Sequence, residues 1–230
     1  QIEAASDGSV RLGAGALHRD VAMAEALMGG HLVVRRAASQ IANPVVRNMG
    51  TLGGSVSHSD PAADYPVALV AADAEIEIAG KEGARLVPVQ EFFIDWYETV
   101  LAGAEMVIAA LLPAPPPGAT GVYHKLAKVE GDMGIAMVAV ILAEDAGACS
   151  HLSVTIGGCG PTPVRLRDRE ADLIGGGLDG DAVESLGQAL AEATDPVDDV
   201  RATADYRRLV VPRMVARAIR TARQELSEDR

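Results

Sequence analysis

The stretch VRNMGTLGGSVSHSDPAADYP, residues 46–66, sets the adjacent pair Gly53 and Gly54 among Thr51, Ser55, Ser57, His58 and Ser59, and ends in Asp60, Asp64 and two prolines. Glycine has no Cβ, so a ligand can come close to the Gly53 and Gly54 N–H groups, and Thr51 and Ser55 add hydroxyl donors to the same concavity. Such a surface suits a pyrophosphate. It is not a P-loop, because GTLGGS lacks the lysine that places a point charge on the terminal phosphates. Nor is a Rossmann turn present: GAGALH at residues 13–18 lacks the third glycine and precedes rather than follows a convincing βαβ pattern. Ser57, His58 and Asp60 are too close in sequence to make the two consecutive hydrogen bonds of a nucleophilic triad. His58, Asp60 and Asp64 have no second histidine and no helical i, i+4 pair to complete a metal site. Two like charges about 4 Å apart repel by about 4 kcal/mol at an effective dielectric of about 20, so Asp60 and Asp64 are expected to turn away from the anion. A carboxylate there is better used accepting from sugar hydroxyls. Simpler roles compete: a tight turn at Gly53 and Gly54, a helix cap at Asp64, a turn at Asp60 before Pro61, and a structural imidazole at His58.

Outward from this segment the chain falls into two pieces, residues 1–113 and 121–230, joined at 114–120 within LLPAPPPGATG, whose prolines and glycines continue neither a helix nor a ladder. Upstream, IEAASDGSVRLGAG predicts a hairpin turning at Asp7-Gly8, and HRDVAMAEALM and HLVVRRAASQI predict two helices. Downstream, YPVALVAADA predicts a short helix with Asp64 as N-cap and Pro66 in its first turn. EIEIAGKEGARLVPV predicts a strand pair, QEFFIDWY a short helix or turn, and VIAALLP the end of a strand. Past the connector, GVYHKLAKV, GIAMVAVILAED and CSHLSVTIGG predict a three-stranded antiparallel meander. VRLRDREADLIG, DGDAVESLGQALAEAT and DYRRLVVPRMVARAIRTARQEL predict helices on one face of that sheet, the last kinked or started at Pro212. The fold class is α+β.

Thirty-two acidic against twenty basic residues give a net charge of −12, which repels a polyanion, so nucleic acid is not an expected partner. The longest apolar run, MGIAMVAVILA from Met133 to Ala143, is too short for a transmembrane segment. The expected location is cytoplasmic, or peripheral at the inner face of the membrane. Cys149 and Cys159 have no metal-ligand spacing, so no zinc or all-cysteine iron–sulfur site is expected from this chain.

IANPVVRNMGTLGGSVSHSDPAADYPVALVAADAEI, together with GVYHKLAKVEGDMGIAMVAV and IGGCGPTPVR in that order, resembles the FAD-binding medium subunit or domain of the molybdenum hydroxylases. That group contains aerobic carbon monoxide dehydrogenase and xanthine dehydrogenase. The resemblance implies a PCMH-type FAD-binding domain followed by an α+β C-terminal domain. It implies FAD as the cofactor, a large molybdenum-pterin subunit and a small subunit with two [2Fe–2S] clusters as partners, and a dimer of heterotrimers. Carried over by position, Thr51, Gly53, Gly54 and Ser55 would line the FAD phosphates, with Gly50 also a cofactor-binding position. His58 and Asp64 would contact the ribityl or sugar region, Ile108 would pack on the cofactor, and Lys125 would sit near the flavin ring. For Lys125 the competing role is a charge that guards an edge strand. Two departures stand out. The family's Ala-Gly-Gly-rich loop has no counterpart before Gln1, so the N-terminal part of the flavin domain is expected to be absent, and Met133 stands where relatives often carry an aromatic residue. The implied activity is electron transfer without a catalytic acid–base pair. A stand-alone flavin oxidase and a flavin-free structural subunit are the alternatives.

Overall fold

Asp7-Gly8 turns the chain as its residues require: Gly8 takes φ +88°, and the Asp7 carboxylate accepts from the Ser9 N–H and O–H. The flanking strands β1 (Ile2–Ala4) and β2 (Val10–Gly13) pair antiparallel in a computed structural model that describes residues 1–228. Helix α1 (His18–Ala22) stops well short of Met28. Helical stability comes mainly from burying an apolar face, and Met23 and Met28 are exposed. Helix α2 (Leu32–Ser39) does bury such a face, with Val33, Val34, Ala37 and Ala38. Asn43 caps α3 (Pro44–Arg47) by accepting from the Val46 N–H, and α4 (Leu52–His58) and α5 (Asp64–Ala71) follow.

The strand pair β3 (Glu75–Gly80) and β4 (Gly83–Pro88) leads into α6 (Val89–Phe92), the small hairpin β5 (Phe93–Asp95) and β6 (Glu98–Thr99), and β7 (Met106–Leu112). Strand β7 runs in the middle of a five-stranded antiparallel sheet ordered β1-β2-β7-β3-β4. After the connector come β8 (Thr120–Leu126), β9 (Ala136–Asp145), β10 (Ala148–Gly157) and β11 (Val164–Arg165). Helices α7 (Arg167–Ala171), α8 (Gly180–Ala193) and α9 (Ala204–Glu228) complete the described chain.

The second sheet has four strands, ordered β11-β10-β9-β8, not three. Val164 and Arg165, read from sequence as the start of a helix, pair instead with Ile156 and Thr155. Helices also cover both faces of this sheet rather than one. Along β9, Ala136, Val138, Val140 and Leu142 join the core under α8 and α9, while Met137, Ala139, Ile141 and Ala143 join the core shared with α2 and α5. Successive strand residues point to opposite faces, so burial on both sides produces the continuous apolar run seen in the sequence. Two smaller expectations are also corrected. Ala63, not Asp64, is the N-cap of α5, and Asp64 is its first helical residue. Helix α9 begins upstream of Pro212 and carries it in its interior, where the proline backs onto Gly187 of α8, so closely that a Cβ on Gly187 would lie 2.9 Å from the Pro212 Cα.

Candidate functional site

The start of α4 is pinned to the five-stranded sheet by a short relay of backbone hydrogen bonds. The Ala14 N–H donates to the Ile108 carbonyl at 2.8 Å, and the Ala14 carbonyl accepts from the Gly53 N–H at 2.8 Å. Leu52 N–H donates to the Ala16 carbonyl at 2.9 Å. These bonds bring Ile108 and the glycine pair to one place although 55 positions separate Gly53 from Ile108 in the chain. Thr51 caps the helix, its Oγ1 accepting from the Gly54 N–H at 3.1 Å.

The same bonds correct the expectation that both glycine amides stand open to a phosphate: the Gly53 and Gly54 N–H groups already have protein partners. The two glycines do different work. Gly53 is buried, and a Cβ there would lie 2.5 Å from the Ala14 Cβ, so its missing side chain lets α4 sit against the chain after β2. Gly54 is exposed, and a Cβ there would meet only Thr51 Oγ1, at 3.1 Å. Gly50 resembles Gly53: its Cβ would fall 2.5 Å from His18 Nε2, and its carbonyl accepts from the His18 N–H. The surface left to a ligand is therefore Gly54, the half-exposed Thr51 and Ser55, and the exposed His58, whose ring lies 5.3 Å from that of Tyr97.

Asp64 and Lys125 form a second group. Their side chains are 5% and 4% exposed and meet at 2.9 Å. The Tyr123 O–H donates to the same Asp64 oxygen at 2.7 Å, and Lys125 Nζ also donates to the Gln40 carbonyl at 2.7 Å. Strand β8 is an edge of its sheet, but Lys125 points inward to a carboxylate and does not guard that edge. Burial pushes the Asp64 carboxyl pKa up, and the Lys125 charge and hydrogen bond together with the Tyr123 hydroxyl pull it back. Burial and then the Asp64 charge keep Tyr123 and the adjacent Tyr65 protonated. Tyr65 O–H lies 3.3 Å from His18 Nδ1, and burial lowers the His18 pKa, favouring the neutral ring. Tyr123 was legible as a partner, since it stands two residues before Lys125 and shares its face of the strand. Gln40 and Ala14 act through carbonyls, which leave no mark in side-chain pattern.

Residues 1–115 match the family described as the FAD binding domain in molybdopterin dehydrogenase, and residues 121–222 match the CO dehydrogenase flavoprotein C-terminal domain. The chain belongs to this flavoprotein family. It is 30% identical over 214 residues to the carbon monoxide dehydrogenase medium chain of Hydrogenophaga pseudoflava, covering 93% of this chain and 75% of that one. It is 32% identical over 211 residues to the nicotine 6-hydroxylase medium subunit of Paenarthrobacter nicotinovorans, covering 91% and 74%. The solved carbon monoxide dehydrogenase from H. pseudoflava, in a form lacking the Mo-pyranopterin moiety of its cofactor, superposes with a TM-score of 0.92 at 32% identity over 96% of this chain and 77% of that one. The flavoprotein is thus an oxidoreductase subunit with FAD as its cofactor.

The residues present fit one wall of an FAD site. Thr51 and Ser55 offer neutral hydroxyls beside Gly54, whose missing side chain leaves the surface open, and the half-buried Ile108 is tied to this segment through Ala14. Arg47 does not add a free charge to this wall, because its guanidinium donates to the Ile41 and Ala42 carbonyls. A cleft of about 760 Å³ between α8 and α9 contains none of these residues. No helix among the described residues is long and apolar enough to cross a membrane.

Proposed function

We propose that this flavoprotein takes electrons from the [2Fe–2S] clusters of a small partner subunit and passes them to an external acceptor. In this reading the clusters are loaded by a substrate oxidised at a molybdenum-pterin centre in a large subunit, and the three chains form a dimer of heterotrimers in the cytoplasm or at the inner face of the membrane. Residues 1–113 and 121–230 act as two units on either side of the 114–120 connector. Thr51 and Ser55 hold the phosphate side of the cofactor with their hydroxyls, Gly54 lets it approach, and Gly50 and Gly53 keep α4 seated beneath it. His58 and Ile108 border it, and Asp64 and Lys125 fix the ribityl and ring end. Bound FAD supplies the redox chemistry, and the protein supplies position and electrostatics.

The observation that carries this reading is the buried Asp64–Lys125 pair. Asp64 belongs to the stretch matching the FAD-binding family and Lys125 to the stretch matching the C-terminal flavoprotein family, so the ion pair supports a single cofactor site built jointly by both. The relatives named above are medium chains of a carbon monoxide dehydrogenase and of a nicotine 6-hydroxylase, and similar medium chains in enzymes named for such different substrates support a primary substrate bound in a partner chain. The test is co-purification from the native source, with metal analysis and absorbance spectra. A molybdenum-containing large chain, an iron–sulfur small chain and flavin bleached by the primary substrate are expected; an intact assembly with no flavin absorbance would end the proposal.

A further inference from the structure

Aromatic residues make up only 3% of this chain and include a single tryptophan, yet Trp96 and Tyr97 stand together at an exposed tip. They form the turn between β5 and β6, and with the neighbouring Ile94 they are 42%, 58% and 52% exposed. The tip is held firmly. Phe92 and Phe93 lie buried behind it, edge to face at 5.2 Å, and the Asp95 carboxylate accepts from the Trp96 N–H at 2.8 Å. Tyr97 takes φ +56°, a region bulky residues occupy only where their surroundings compel it, so the hairpin displays this ring against its own backbone preference.

Charge along the segment that carries the tip is one-sided. Residues 89–105 contain Glu91, Asp95, Glu98 and Glu105 and no lysine or arginine. Arg85 pairs with Glu105 at 2.8 Å, which leaves exposed Glu91, Asp95 and Glu98 without a basic partner among the described residues, around an apolar centre. Tryptophan and tyrosine in an apolar centre with a polar rim are the make-up of protein-binding hot spots. The hairpin also grips the end of α4: the Ser59 O–H donates to the Glu98 carbonyl at 3.3 Å, and Tyr97 rests against His58.

We propose that this hairpin is a docking surface for a partner protein that presents an apolar pocket rimmed by lysine and arginine. Resting on the function proposed above, that partner is the iron–sulfur subunit that delivers electrons. Docking here places the donor chain against the end of α4, whose other end carries Thr51 and Gly54, and the acidic rim steers a basic partner at low ionic strength.

Hydroxyl-radical footprinting of the isolated flavoprotein and of the native complex, read by mass spectrometry, gives the test. Trp96 and Tyr97 are expected to be oxidised readily in the isolated chain and several-fold less in the complex. Trp96→Ala and Glu98→Lys are each expected to weaken iron–sulfur subunit binding by about tenfold or more, with thermal unfolding unchanged. Flavin absorbance per chain separates the two readings. If flavin stays bound while both variants assemble normally and Trp96 stays reactive in the complex, the docking surface is refuted and the electron-transfer reading stands. Protection of Trp96 in the isolated chain, through a second copy or a covering segment of the same chain, also refutes it. Loss of flavin from the wild-type complex sinks the underlying function instead.

Discussion

Adjacent glycines offer a test that separates fold from ligand. In Gly53→Ala the new Cβ starts 2.5 Å from the Ala14 Cβ and 3.0 Å from its carbonyl oxygen, where methyl groups need about 3.5–4 Å. Either α4 or the Ala14 strand end must retreat by roughly 1 Å, at the cost of about 1–3 kcal/mol typical of overpacking. The Gly53 N–H to Ala14 hydrogen bond stretches with it, a further loss of about 1 kcal/mol. Replacing a helical glycine by alanine returns about 1 kcal/mol, which leaves a net loss of about 1–3 kcal/mol; for a chain of this size each kcal/mol moves Tm by about 2–4 °C, so a fall of roughly 2–12 °C is expected. Gly54→Ala meets only Thr51 Oγ1 at 3.1 Å and replaces a helical glycine by a residue favoured by about 1 kcal/mol, so Tm should hold or rise. Its methyl group nonetheless occupies the surface assigned to the cofactor, and FAD affinity should fall by at least about tenfold, or 1.4 kcal/mol. Differential scanning fluorimetry of the apo chain reads the first effect, and flavin retained by the purified complex reads the second. Equal Tm values for the two variants would refute the packing role of Gly53. Full flavin retention in Gly54→Ala and in the bulkier Gly54→Val would refute the ligand role of Gly54.

Lys125→Met removes the cation that holds down the Asp64 pKa. Burial already lets the folded carboxyl keep its proton to higher pH than the unfolded one, so stability from this group is greatest below the ordinary carboxylate range and declines as pH rises through the folded pKa. In the variant that decline should extend further toward neutral pH, measured as a steeper loss of urea midpoint between acid and neutral conditions. Glu105 behaves in the opposite sense: the Arg85 hydrogen bond holds its pKa down to about 2, so its contribution is present above its usual value and lost as pH falls toward about 2. Glu105→Gln should lower neutral stability only slightly, as expected for an exposed pair, leave stability near pH 2 unchanged, and so make the acid limb of the stability curve a little shallower. Gly157→Ala would set a Cβ 2.1 Å from Val67 Cγ2, so α5 must part from β10, and the melting temperature should fall more than in Gly53→Ala.

The sequence reveals the order of elements because each carries its own signal. Asp7-Gly8 between alternating residues marks a hairpin, the proline-rich connector marks a break, and the period of α8 and α9 marks two amphipathic helices. Element ends are less legible where tertiary burial decides them, as where α1 halts before the exposed Met23. A two-residue strand such as Val164–Arg165 has no periodicity of its own and exists only through Thr155 and Ile156. At the site, the segment from Gly50 to Asp64 stood out by composition, but the division of labour within it did not. Whether a glycine is needed by a ligand or by a neighbouring Cβ depends on what stands opposite, and Ala14 and His18 are distant in sequence from the glycines they meet. The inward turn of Lys125 was hidden for the same reason: its carboxylate partner lies 61 positions away.

The two-sided burial of β9 explains how Asp64 and Lys125 are held in fixed relation although they come from two sequence families. Tyr123, Met137, Ala139, Ile141 and Ala143, all beyond the connector, belong to the same core as Val34, Leu52, Tyr65 and Leu69 before it. Each large apolar side chain buried there contributes about 1.5–3 kcal/mol, far more than a flexible connector can resist or supply. The register of β8 on β9 then sets Tyr123 and Lys125 opposite Ala139 and Met137, on the face turned toward α5. Asp64 meets them at the first turn of that helix, and Gly158 ties its N–H to the Pro61 carbonyl just upstream. The position of the lysine relative to the glycine segment is therefore fixed by a shared core, not by the 114–120 connector. The electron transfer proposed above would need that kind of support, because a carrier set between a donor chain and an acceptor would tolerate little drift in either direction.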